Sequence, residues 1–209
     1  MSDSARKLWL KVCEETLAPS GEETWAAVRE HSLPDTMWHS LSNCVSHQAG
    51  VWSDLLSKGV GDIMHPLGFE LAILLRHTPV DRVKEILKEV LVMSPQRDGI
   101  IGYVVRLLTE DEAGRELPPR DRHLFGDLEL VVLASSIDRY KRHARLVRTE
   151  YSNLSSENYL ELRLKVLNQF LRLPKLFNSP EFSDLESLAR YNMQTEILKI
   201  KEELSALRF

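Results

Sequence analysis

Apolar residues recur at three- and four-residue spacing along almost the whole chain, and this helical period is the feature that most limits the possible fold. The clearest stripe lies within residues 80–92 and consists of Val83, Ile86, Leu87, Val90 and Leu91. An alternating strand pattern longer than a few residues does not occur. The sequence therefore predicts an all-α fold, a compact bundle of about nine to ten helices.

Helix boundaries are predicted from prolines, glycines and capping residues. The predicted helices cover about 8–17, 22–28, 37–56, 67–75, 80–92, 98–108, 124–133, 137–151, 156–173 and 182–207. A charged loop is expected at 109–122, with Pro118 and Pro119 inside it. Because the sequence on both sides of that loop is too apolar to stand alone, we predict a single domain over residues 1–209.

Charge and composition exclude several classes of protein. The formal net charge is −4, so a nucleic-acid partner is not expected. One basic run, Arg139, Lys141, Arg142, Arg145 and Arg148, falls on a predicted helix, and we interpret it as a solvated face that carries ion pairs. No stretch reaches the eighteen or so apolar residues of a membrane span, and the N-terminus lacks a signal-peptide core. We therefore expect a cytoplasmic or nuclear protein without a membrane partner.

The C-terminal third resembles a known family. Its motifs are Leu124-Phe125-Gly126-Asp127-Leu128-Glu129-Leu130, Val147-Arg148-Thr149-Glu150-Tyr151, Phe170-Leu171-Arg172-Leu173-Pro174 and Ala189-Arg190-Tyr191-Asn192. In order and spacing, residues 124–196 resemble the predicted metal-dependent phosphohydrolases of the HD superfamily. The resemblance implies an all-helical HD-type domain that holds a divalent cation, which would be manganese, iron, zinc or magnesium.

The resemblance also implies the positions of the metal ligands. In Trp38-His39-Ser40-Leu41, His39 stands where the family has its first ligand, and Asn43 replaces a second histidine. The His-Asp pair that names the family falls on Arg76-His77 in one register and on His77-Thr78 in the other, and neither contains an aspartate. The metal residues implied by the family are thus His39, His77 and Asp127, and His65 or Glu70 could replace a lost ligand.

Two further residues are assigned roles by this comparison. Glu129, two residues after Asp127, is the candidate catalytic carboxylate. Arg76 adds a positive charge beside the metal position, where a unit charge at 4 Å is worth on the order of 4 kcal/mol at an effective dielectric near 20. Such a charge would repel a cation, and it makes Arg76 the candidate phosphate-binding residue.

Three functions follow as hypotheses. The first is a non-catalytic HD-like protein that binds or scaffolds an unknown protein partner and needs no cofactor. In that case one or two of the four tryptophans, Trp9, Trp25, Trp38 and Trp52, could anchor the partner. The second is a working metal-dependent phosphohydrolase that acts on a nucleotide or phosphate ester. The third is a sensor that binds a small phosphorylated ligand without turnover.

Overall fold

The computed structural model describes residues 3–18, 21–109 and 116–207. In these residues the protein is all-helical, with ten α-helices and no β-strand, as the sequence predicts. The helices are α1 (Ser4–Thr16), α2 (Gly21–Glu30), α3 (Ser46–Ser57), α4 (Pro66–Leu75), α5 (Val80–Val90), α6 (Arg97–Leu108), α7 (Pro119–Leu130), α8 (Ile137–Glu150), α9 (Ser156–Arg172) and α10 (Glu186–Leu207).

Contacts within the chain divide it into two compact units. The first unit comprises Met1–Asp35 and His39–Phe125, and the second comprises Thr36–Trp38 and Gly126–Phe209. The prediction of a single domain over residues 1–209 stays a prediction. Among the described residues, no helix combines the length and the apolar character needed to cross a bilayer.

The first unit is built around α4, whose sequence is apolar apart from Glu70. Every residue from Gly68 to Leu75 is buried, as expected for a helix with apolar residues around most of its circumference. Gly68 permits the close approach of α6, because a Cβ atom there would lie 2.8 Å from the ring of Tyr103. Trp9 and Trp52 are fully buried in the same unit. These two side chains are therefore core residues.

The second unit is formed by α8, α9 and α10 together with a 3₁₀ turn, Val131–Ala134. The hydroxyl of Ser155 accepts a hydrogen bond from the backbone N–H of Asn158, so this residue caps α9 as its sequence predicts. Trp38 is buried and packs edge-on against His143, with ring centroids 4.6 Å apart. Trp25, in the first unit, is also buried, so none of the four tryptophans is exposed as a partner anchor.

The structure corrects three predicted boundaries. The helix predicted over 37–56 begins only at Leu41, because residues 37–40 are bends, and its first turn, Leu41–Val45, is π-helical and continues directly into α3. The predicted loop 109–122 ends earlier, since Pro119 is the first residue of α7. The last predicted helix begins at Glu186 rather than at residue 182, because Pro180 starts a separate 3₁₀ turn that ends at Leu185.

Candidate functional site

His39 and His77 lie side by side in the first unit. They are 38 positions apart in the sequence, yet their ring centroids are separated by 5.1 Å and the rings meet edge to face at 69°. His39 precedes the π-helical turn, and His77 follows the C-terminal end of α4. Both side chains are half-buried. The structure thus brings together the two histidines that the resemblance predicts as metal ligands.

Cys44 is a third polar neighbour, and sequence reasoning did not find it. Its thiol is buried and is not part of a disulfide, and its Sγ lies 3.5 Å from Nε2 of His77. The thiol also accepts a hydrogen bond from Nε2 of Gln48 at 3.1 Å. No spacing in the sequence links Cys44 to His77, because the contact depends on the tertiary position of the π-helical turn.

Polar side chains stabilise that turn from within. The hydroxyl of Ser40 accepts from the backbone N–H of Asn43, and the amide nitrogen of the Asn43 side chain donates to Ser40 Oγ and to the carbonyl of Asp35. π-Helical turns are rare and are frequent at functional sites. Asn43, at a position where the resemblance implies a histidine, therefore has a structural role that its sequence position did not predict.

Arg76 contacts Phe125 within the same unit. One terminal nitrogen of the guanidinium donates to the carbonyl oxygen of Phe125. The guanidinium carbon also lies 3.6 Å from the centroid of the Phe125 ring, which is a close cation–π contact. These contacts hold the side chain against α7. The role of Arg76 in phosphate binding stays a prediction.

The buried carboxylates of the first unit bind partners of their own. Glu70 accepts from Nζ of Lys11 and from Nε1 of Trp52 at 3.2 Å. Burial lowers the pKa of Lys11, but the hydrogen bond and the charge of Glu70 outweigh this effect, so the net pKa is raised. Asp121 accepts from the hydroxyl of Tyr103 and from the backbone N–H of Met64.

His65 and Glu70 are the residues that the sequence offered as replacement ligands, and the structure gives each of them other contacts. The ring of His65 packs edge-on against Tyr103, with centroids 5.1 Å apart. The Oε2 atom of Glu70 is buried and has no hydrogen-bond partner among the described residues, while Oε1 accepts both of its bonds. Their use as ligands stays untested.

Asp127 belongs to the second unit, where its carboxylate is almost completely buried. Its two oxygens accept from two backbone N–H groups, at 2.9 and 3.1 Å from that of Asn178 and at 2.6 Å from that of Ser179. The carboxylate therefore joins α7 to the segment that leads into the 3₁₀ turn at Pro180. The assignment of Asp127 as a metal ligand stays a prediction.

Glu129 is half-buried, two residues beyond Asp127 on the same helix. Side chains at positions i and i+2 of an α-helix point about 200° apart around its axis, so they do not face each other. Asp127 and Glu129 thus do not form a carboxylate pair directed at one point. A catalytic role for Glu129 stays a prediction.

A metal fits this arrangement poorly. Within residues 3–18, 21–109 and 116–207, no group of three or more His, Cys, Asp or Glu side chains is placed to hold a metal ion. His39 and His77 supply two imidazoles, and the carboxylate of Asp127 is engaged by backbone amides. The described residues, as they are arranged, do not fit the cation that the resemblance implies.

Comparisons of the chain with protein-family models, with curated proteins and with solved structures find no match. The HD-type resemblance of residues 124–196 therefore rests on the motifs alone and stays a prediction.

Proposed function

We propose that this protein is a non-catalytic, HD-like binding or scaffold protein. The observation that carries the proposal is the state of Asp127, which stands where the family has its last metal ligand. Two backbone N–H groups donate to its carboxylate, one of them shared between both oxygens, and they occupy part of the about four lone-pair sites that a carboxylate could offer to a cation.

The residues beside His77 in the chain support the same proposal. Arg76 takes the place of the family's histidine in one register and precedes the His-Asp pair in the other, and neither register has an aspartate. A guanidinium remains positive at every physiological pH and raises the cost of placing a cation nearby. The missing aspartate and the added arginine therefore act in the same direction.

One observation favours the second candidate, a divalent-metal-dependent phosphohydrolase. His39 and His77 lie in contact, as two ligands of one metal would. A bound cation would supply an activated water and charge stabilisation. The third candidate, a sensor of small phosphorylated ligands, depends on Arg76. We also propose a cytoplasmic or nuclear location, which agrees with two cysteines that form no disulfide, because disulfides are rare there.

Metal content and phosphatase activity test the proposal together. We expect the purified full chain to contain far less than one equivalent of manganese, iron, zinc or magnesium, and to hydrolyse neither p-nitrophenyl phosphate nor nucleotides above the background of the His39→Ala and His77→Ala variants. His123→Ala is the matched control, because His123 is an exposed histidine on α7.

Two results would contradict the proposal. One equivalent of metal that is retained by His123→Ala and lost in His39→Ala, together with turnover, would establish the phosphohydrolase. A metal-free protein whose melting temperature rises with added nucleotide or phosphate, but does not rise in Arg76→Ala, would establish the sensor.

A further inference from the structure

A groove of about 380 Å³ runs between α8 and α10 in the second unit. Six residues of α8 line one wall, namely Ile137, Tyr140, Lys141, Ala144, Arg145 and Arg148. Their spacing is i, i+3, i+4, i+7, i+8 and i+11, and α10 lines the other wall with the same spacing from Asn192 to Glu203. Each wall is thus one continuous face of a helix over three turns.

The two walls run in the same direction. The side-chain amide of Asn192 donates to the carbonyls of Leu133 and Ser135, just before α8 begins. One turn further along each helix, the hydroxyl of Tyr140 donates to Glu196. At 1.5 Å per residue, the eleven steps from the first to the last residue of each stripe extend about 16 Å. The groove is therefore elongated, with parallel walls that can receive a helix.

The polar side chains at the floor of the groove form hydrogen bonds with one another. Glu196 accepts from both Nε and Nη2 of Arg163, at 2.8 and 3.0 Å, in addition to the Tyr140 hydroxyl. This network is charge-balanced, because one guanidinium meets one carboxylate. The start of α9 closes one end, where Arg148 stacks over the ring of Tyr159 at 4.6 Å.

The rim of the groove is basic. Lys141, Arg145 and Lys199 are exposed on it and make no ion pair with any residue in the described part of the chain. Glu203 is the one rim acid, since Glu196 is neutralised by Arg163. In a protein of net charge −4, this is a local reversal of sign. The solvated ion pairs expected for this basic run are thus not seen at Lys141 and Arg145.

We propose that this groove binds a single acidic amphipathic helix from a partner protein. A helix that lies in a groove is recognised by apolar anchors at i, i+3, i+4 and i+7, which matches two parallel walls of that period. Acidic residues on the flanks of such a helix would meet the basic rim. The inference concerns a site in the second unit and is independent of the chemistry at His39 and His77.

The distribution of charge distinguishes a helix from a small anion. Lys141 and Arg145 lie one turn apart on α8, and Lys199 lies on the opposite wall. A single carboxylate or phosphate group is bound by cations that converge on one point. Cations distributed over two walls instead match Asp or Glu residues on both flanks of a helix.

Selection from a random peptide library tests the proposal without assuming a sequence. The full chain is the bait, and the library displays random 18-residue peptides. We expect enriched peptides to have apolar residues at three- and four-residue spacing with Asp or Glu on their flanks. Circular dichroism of the bound peptides should show a gain of helix.

Three variants locate the binding site. Lys141→Glu combined with Arg145→Glu should weaken the selected peptides at least tenfold, and Ala144→Phe, which narrows the groove without a change of charge, should do the same. Arg139→Glu is the matched control, because Arg139 is exposed on α8 but does not line the groove. The affinity of this variant for the selected peptides should stay within twofold of that of the unmodified chain.

Several outcomes would overturn the proposal. Enrichment of no peptide, or of peptides without helical spacing, would refute a helix as occupant. An equal loss of peptide affinity in Arg139→Glu would show that the overall charge of the protein, and not the groove, determines binding. A sedimentation experiment that shows concentration-dependent dimers, lost in Ala144→Phe, would identify a second copy of the chain instead. Displacement of the selected peptides by dodecanoate, with a tighter affinity than theirs, would indicate a small amphipathic anion.

Discussion

Single buried carboxylates in this protein serve as internal hydrogen-bond acceptors, and Asp127 is the clearest example. Replacing it with alanine removes the charged acceptor of two backbone N–H groups, those of Asn178 and Ser179. We expect Asp127→Ala to lower the free energy of unfolding by about 2–4 kcal/mol, because bonds to a charged acceptor are strong and a buried amide is left without a partner. Urea denaturation measures this change.

Asp184→Ala is the control for that measurement, since Asp184 is an exposed acid in the same unit. Its effect should stay within about 0.5 kcal/mol. A similarly small effect of Asp127→Ala would mean that the hydrogen bonds contribute little. Asp127 would then be available for another role, including the metal binding that the resemblance implies.

At the scale of elements, an ion pair joins α9 to α10. Arg163 and Glu196 are both largely buried, with side-chain exposures of 9% and 14%. We expect Glu196→Ala to cost about 3–5 kcal/mol of unfolding free energy, because it leaves the Arg163 guanidinium buried without a counter-charge. Chemical denaturation of the single variants, and of Glu196→Ala combined with Arg163→Met, measures the effect.

The double variant distinguishes a pair from two independent residues. Glu196→Ala with Arg163→Met should be less destabilised than Glu196→Ala alone, because no buried charge then remains. Glu202→Ala, an exposed acid on the same helix, should change stability by less than about 0.5 kcal/mol. Additive losses in the double variant would contradict this account of the ion pair.

At the scale of the whole molecule, the pH dependence of stability should be steep in alkali. Burial, and then the hydrogen bond to Asp121, raises the pKa of Tyr103 well above its ordinary value. Burial, followed by the charge and the hydrogen bond of Glu196, does the same for the pKa of Tyr140. A raised native pKa means that the folded protein keeps these protons when the unfolded chain releases them.

The resulting stability is fully present below the unfolded pKa of about 10 and is lost as the pH rises above it. We expect each tyrosine to contribute a slope of about 1.4 kcal/mol per pH unit in that range. Thermal denaturation between pH 9 and pH 11 measures it. Tyr103→Phe and Tyr140→Phe should flatten the curve, whereas Tyr191→Phe, at a residue that is 63% exposed, should not. Equal slopes in all variants would disprove this origin.

The sequence by itself determined the all-helical class and most of the helices. Helical period is a local property, so a stripe such as the one in α5, or the cap that Ser155 forms at α9, is readable from a few neighbouring residues. Competing local hydrogen bonds explain the wrongly predicted helix start near residue 41. Whether the chain at residue 41 continues as an α-helix depends on hydrogen bonds that Asn43 makes to Ser40 and Asp35, and a periodic pattern does not show them.

Only the tertiary structure decided which contacts the candidate site residues make. The resemblance implied His39 and His77 as ligands of one metal, and the structure places their rings side by side, but the sequence could not show Cys44 beside them. It marked Asp127, yet the amides that bind its carboxylate are 51 and 52 positions away in the chain. The groove between α8 and α10 could not be predicted from the sequence either. A helical stripe shows which residues share a face, but whether another helix covers that face depends on packing between distant parts of the chain.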